Sequence, residues 1–74
     1  GHPHWATYTL ALAYWTLGDA DTALAWYDAA VAAMPVMRTE AGLEGRIKHW
    51  RAPQQLQMRT LYTAWKARQP VSAG

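Results

Sequence analysis

Cysteine is absent from this 74-residue chain, and so is phenylalanine. Without cysteine there is no disulfide and no thiolate metal site, so a small domain must hold together by packing alone. No uninterrupted apolar run reaches the roughly 18 residues that would read as a membrane-spanning helix. There is no Gly-rich phosphate loop, serine-centred elbow or cysteine nucleophile, so neither enzymatic activity nor a cofactor is expected. The start shows no basic-then-apolar leader pattern, and Gly1-His2 reads as a tag remnant outside the fold. Lysine and arginine are missing from the whole first half, residues 1–35.

What is present is alanine, tryptophan and tyrosine. Alanine carries no cost in helix propensity and lets helices approach closely. Tryptophan and tyrosine supply every aromatic ring. Each brings a large apolar area with one polar atom that needs a partner or water. This is the composition of a tightly packed helical domain with wet aromatic edges.

The net charge of +2 conceals an asymmetry. Asp19, Asp21 and Asp28 give residues 1–35 a charge of −3. Arg38, Arg46, Lys48, Arg51, Arg59, Lys66 and Arg68 against Glu40 and Glu44 give residues 36–74 a charge of +5. A basic half is either a solvated surface or a face for an acidic partner.

Periodicity predicts four helices in two hairpins. The first spans about 4–17, with Pro3 at its entry, Leu10, Tyr14 and Leu17 on its core face, and Gly18 ending it in left-handed geometry. The second spans about 20–34, capped by Asp19 or Asp21, with Leu24, Tyr27, Val31 and Met34 as its stripe and Ala23 and Ala30 beside it. Pro35 breaks it. The third lies between about 36 and 50, on Val36, Leu43, Ile47 and Trp50. Glu40 interrupts that stripe, Glu44 and Lys48 form an i, i+4 pair, and Gly42 and Gly45 each weaken the helix by about 1 kcal/mol relative to alanine. The fourth runs from about Pro53 to Arg68, on Met58, Leu61, Tyr62 and Trp65, with Lys66 and Arg68 at its C-terminal end. Gln69-Pro70 stops it, and 71–74 should fray.

The second and fourth helices repeat one another. Leu24, Tyr27, Ala30 and Val31 match Met58, Leu61, Ala64 and Trp65 at an offset of 34. Residues 4–35 then form a first unit and residues 36–70 a degenerate second one, with a shortened first helix or an altered turn. An offset of 33 suits the third helix better, since it buries Leu43 and Ile47 rather than the Glu44–Lys48 pair.

The run Leu10-Ala11-x2-Tyr14-x3-Gly18-Asp19-x3-Ala23-x3-Tyr27-x2-Ala30-x4-Pro35 resembles a tetratricopeptide repeat (TPR). Thr7 departs from the family's aromatic position, and Ala11 replaces its glycine. The resemblance implies an all-α fold of two stacked antiparallel hairpins. It also implies a protein–protein interaction module or scaffold that lines a concave groove with the first helix of each pair. Carried onto this chain, the groove positions are Trp5, Tyr8, Leu12, Trp15 and Thr16. At offset 33 the second unit adds Arg38, Ala41, Gly45, Lys48 and His49. At 34 it adds Thr39, Gly42, Arg46, His49 and Trp50. Partner-binding residues are therefore expected at Trp5, Tyr8, Leu12, Trp15, Arg38, Lys48 and His49, for a protein or peptide partner with acidic residues. The clamp by which some family members hold C-terminal carboxylates is absent, because Tyr8 and Leu12 stand at its first-unit positions.

The residues themselves agree that the first helix has a second apolar stripe. Trp5, Tyr8, Leu12 and Trp15 are spaced i, i+3, i+7, i+10. Such a face either meets a partner or is covered by further chain or a second copy. Two units are fewer than a stable array needs, which points to a fragment of a longer protein or a self-associating homo-oligomer. His2 and His4 could chelate a metal only weakly, so no metal site is expected. Asp19 and Asp21 are accounted for by capping. Nucleic acid remains a less favoured rival partner, through basic residues interleaved with Trp50, Tyr62 and Trp65.

Overall fold

The computed structural model describes residues 4–69, with side chains from residue 6 onward. The expected tag remnant and fraying tail lie outside the described residues. The fold is all-α and built from helical hairpins: α1 (His4–Thr16), α2 (Ala20–Ala33), α3 (Glu40–Ile47) and α4 (Ala52–Arg68), with a 3-10 turn at Pro35–Arg38. Among the described residues there is no strand.

The first hairpin follows from its turn residues. Gly18 sits at φ 88°, in the left-handed region that only glycine enters without strain. Its N–H bonds the Trp15 carbonyl at 3.1 Å, and the Asp19 N–H bonds the Tyr14 carbonyl at 2.9 Å. Those two bonds are a Schellman closure of α1. Asp19 then caps α2 by accepting from the Thr22 N–H at 3.2 Å. One residue thus ends one helix and starts the next, and α1 doubles back tightly onto α2.

That close approach depends on small residues. Ala11 of α1 and Ala23 of α2 are fully buried, as is Ala30. Thr7, not an apolar residue, is the other buried side chain of α1. The face expected to enter the core, Leu10, Tyr14 and Leu17, does so only at Tyr14, which packs half-buried against it. Leu17 is 78% exposed. α1 carries apolar residues on nearly every side, so spacing alone does not select its buried face; the helix turns its smallest side chains toward α2.

The largest fully buried side chains are Tyr27, Met37, Leu43, Ile47, Met58 and Leu61. None comes from α1. Each is worth about 1.5–3 kcal/mol relative to exposure, so the centre of the core lies among α2, the 3-10 turn, α3 and α4. Three of the four offset-34 matches hold in burial: Leu24 and Met58, Tyr27 and Leu61, and Val31 and Trp65 are all interior, whereas Ala30 is fully buried and Ala64 only half-buried.

The third segment differs most from expectation. Pro35 does end α2, but the chain next makes the 3-10 turn, and α3 begins only at Glu40. Thr39 is the cap. Its Oγ1 accepts from the Gly42 N–H at 3.0 Å and donates to the Val36 carbonyl at 2.9 Å. Val36 is 47% exposed and Met37 is buried instead. Glu40 therefore interrupts no stripe; it stands in the first turn of α3, where negative charge is favoured. Glu44 pairs not with Lys48 but with Arg59 of α4.

Backbone approach places α4 closer to α1 and α2 than to α3. Tyr8 meets Trp50, Leu12 and Thr16 share a cleft with Pro53, Gln54 and Gln57, and Trp15 bonds Thr60. The two helices therefore advance side by side in the same sense. Side chains fill the wider gap to α3: Gln55 Nε2 donates to the Ile47 carbonyl at 2.8 Å, adding a second bond to a carbonyl at the end of α3 that also accepts from the Trp50 N–H.

Candidate interaction surface

The second apolar stripe of α1 faces α4 and Trp50. Tyr8, Leu12 and Trp15 all pack half-buried against the core. The Tyr8 and Trp50 rings lie 5.9 Å apart, tilted by 44°. Trp15 Nε1 donates to Thr60 Oγ1 at 2.9 Å, and that hydroxyl donates to the Gln57 carbonyl at 2.7 Å. The broad groove implied by the resemblance is thus narrowed to a seam, because α4 lies over it. Along this seam an open cleft of about 150 Å³ remains, lined by Leu12, Thr16, Pro53, Gln54 and Gln57. Trp5 belongs to the α1 backbone, but its side chain lies outside the described residues.

The basic residues fall into separate groups. Arg38 closes the 3-10 turn, while Lys48 and His49 follow the far end of α3. Eight residues of helix separate the two positions, about 12 Å of rise. Arg38 and Lys48 therefore do not converge on one point. Instead Lys48, His49 and Arg51 lie in the turn that leads into α4, with Arg46 just before it in the last turn of α3, all of them exposed. The Trp50 N–H closes this turn on the Ile47 carbonyl at 2.9 Å. Reasoning on groove positions missed Arg51 altogether, and took Arg46 and Trp50 only in its second register. The signal that finds them is their crowding within residues 46–51.

Charge pairing takes up two of the basic residues of α4. Arg59 meets the Glu44 carboxylate with two nitrogens, at 2.8 and 2.7 Å. Arg68 reaches Asp21 at 3.2 Å. The hydrogen bond from Arg59 holds the Glu44 carboxyl below the ordinary glutamate range and raises its own guanidinium in return. Among the described residues no ion pair involves Arg46, Lys48 or Arg51. The sequence contains no Asp or Glu after Glu44 to supply one nearby in the chain.

Trp65, Tyr62 and Tyr27 are bonded within the fold. Trp65 is 3% exposed and donates Nε1 to Asp28 Oδ1 at 2.6 Å. Its ring lies 5.0 Å from Tyr27 and 6.2 Å from Tyr62. Tyr62 donates to the Arg38 carbonyl at 3.2 Å, and the buried Tyr27 donates to the Met37 carbonyl at 2.7 Å. Burial, and then the neighbouring Tyr62, push the Tyr27 phenol far above its ordinary range. Trp65 is buried, whereas Tyr62 and Trp50 are both half-buried, Trp50 standing beside the cations of residues 46–51. Among the described residues no group of three or more His, Cys, Asp or Glu could hold a metal, and no helix is long and apolar enough to cross a membrane.

No protein-family model matches the chain, and neither the curated proteins nor the solved structures provide a match.

Proposed function

We propose that this domain is a protein-interaction module that binds a partner segment along the α1–α4 seam. One observation carries the reading: Tyr8, on a helix whose residues from Ala6 to Thr16 include no charged side chain, and Trp50, from the turn before α4, form a half-exposed aromatic ledge along the seam that holds the open cleft. Large aromatic side chains dominate interface energies, and the half-exposed rim of an uncharged helix face favours contact with another chain. The tetratricopeptide resemblance of residues 10–35 supports the same class. The buried Ala11, Ala23, Tyr27 and Ala30 and the left-handed Gly18 suit a hairpin of that kind. The ligand surface proposed here is the seam, not an open concave groove, since α4 covers that face.

A random dodecapeptide library displayed on phage tests the proposal. The immobilised domain should enrich a family of related peptides over a blank surface. Trp50→Ala and Leu12→Arg variants, each shown folded by circular dichroism, should lose them. Equal retention by both variants would remove the seam from consideration.

A second reading is self-association, favoured by Leu17 and Leu56, which are 78% and 60% exposed. Solitary exposed leucines are common on monomers, so this reading ranks below the first.

A further inference from the structure

The turn between α3 and α4 holds positive charge that the molecule does not neutralise. Arg46, Lys48 and Arg51, with His49 between them, are all exposed and outside the ion pairs. Arg38 and Lys66 are also outside the ion pairs but stand singly, so the crowding at 46–51 is the informative part. Arg59 and Arg68 each found a carboxylate across the fold, at 2.7 and 3.2 Å. A solvated basic surface would be expected to scatter its charges. Here they are gathered within six positions of sequence, beside the exposed edge of Trp50.

The turn is also continuous with the apolar cleft. Two residues after Arg51 come Pro53 and Gln54, which with Gln57 form one wall, while Leu12 and Thr16 form the other. At about 150 Å³ the cleft admits a single aliphatic side chain rather than a helix. A surface with a one-residue apolar slot and a cationic rim selects a ligand of matching grammar.

Resting on the seam as the binding surface, the geometry points to a specific ligand class: an acidic peptide segment in which one aliphatic residue, seated against Leu12 and Pro53, is flanked by carboxylates that meet Arg46, Lys48 and Arg51. The carboxylates steer and select, and the aliphatic anchor and the Tyr8–Trp50 ledge retain. Each exposed pair contributes little alone, and the three together weaken with added salt. Arg38 plays no part, since it stands at the opposite end of α3.

Composition of the selected phage peptides provides the test, together with the triple variant Arg46→Glu, Lys48→Glu, Arg51→Glu. All three side chains are exposed and outside the core, so the variant keeps the fold. Selected peptides should be enriched in Asp and Glu around a Leu, Ile or Met, and should bind the triple variant about tenfold more weakly or worse. Their affinity for the parent should fall as salt rises. Enrichment of neutral peptides whose affinity ignores the triple substitution would overturn the ligand class while leaving the seam intact. Failure to enrich any peptide would overturn both. Binding of an oligothymidylate probe more tightly than the selected peptides would overturn the ligand class in favour of nucleic acid.

Discussion

The hydroxyl of Tyr27 on α2 donates to the backbone carbonyl of Met37, 2.7 Å away and inside the core. This bond ties the 3-10 turn to α2, and Tyr62 repeats the device from α4 on the next carbonyl. Replacing Tyr27 with phenylalanine keeps the ring but strands a buried acceptor. The expected loss is about 1–3 kcal/mol of stability, read from urea denaturation. The same hydroxyl sets an alkaline limit. Its proton is held more tightly in the folded protein than in the unfolded chain, so the stability it contributes is full below the ordinary tyrosine range. That contribution is lost as pH rises past it. Tyr27→Phe should therefore flatten the alkaline branch of the stability profile. An unchanged branch would assign that branch to other groups.

The two glycines of α3 should respond to alanine with opposite signs. A Cβ on Gly42 would run into the Val36 carbonyl oxygen and Cγ2, because the cap at Thr39 draws that carbonyl against the helix. A Cβ on Gly45 would meet nothing within 4 Å. Gly45→Ala should gain up to about 1 kcal/mol from helix propensity. Gly42→Ala should lose about 1–3 kcal/mol by prising the 3-10 turn from α3. Paired thermal melts decide the matter, and a gain at both positions would contradict the contact.

Acid titration should weaken the Glu44–Arg59 pair. The Glu44 carboxyl is held below its ordinary range, so its contribution is present above the unfolded glutamate value and disappears as pH falls through the lowered one. Both side chains are substantially exposed, so the effect is small and sensitive to salt. Glu44→Gln should give an acid branch slightly flatter than the parent's at low ionic strength, and the two should coincide at high salt.

Exposed leucines should be replaceable. Leu17→Lys with Leu56→Lys should leave stability within about 0.5 kcal/mol of the parent. Sedimentation of both proteins addresses self-association at the same time. A parent heavier than a monomer, with a monomeric variant, would make these two leucines the contact between copies.

Much of the fold was legible because strong local signals agreed. Gly18-Asp19 marks a turn and a cap at once, Pro35 ends α2, and the apolar spacing of α2 and α4 identifies most of their buried residues, though Met34 and Tyr62 are only half-buried and Ala23 and Ala30 fully so. The third segment was harder. Thr39-Glu40, a cap followed by an acidic first turn, was a start signal that would have placed α3 correctly. Apolar spacing from Val36 masked it. The buried face of α1 was not legible from periodicity, because nearly every side of that helix is apolar and the choice is made by how closely α2 can approach. The candidate site was half legible. Its residues on α1 and in the basic half could be named, but only tertiary packing shows that α4 narrows the groove, that Arg59 and Arg68 are already paired, and that Arg38 lies apart from Lys48.

The most direct measurement of the central claim is an amide proton–nitrogen correlation spectrum of the domain, titrated with its strongest selected peptide. The account predicts shifts or broadening at Tyr8, Leu12 and Thr16, through residues 46–51, and at Gln54 and Gln57. The Trp50 indole should be among the most affected. Changes concentrated on the outward face of α2, at Ala25 and Ala32, with the Trp50 indole and the turn at 46–51 unmoved, would contradict it.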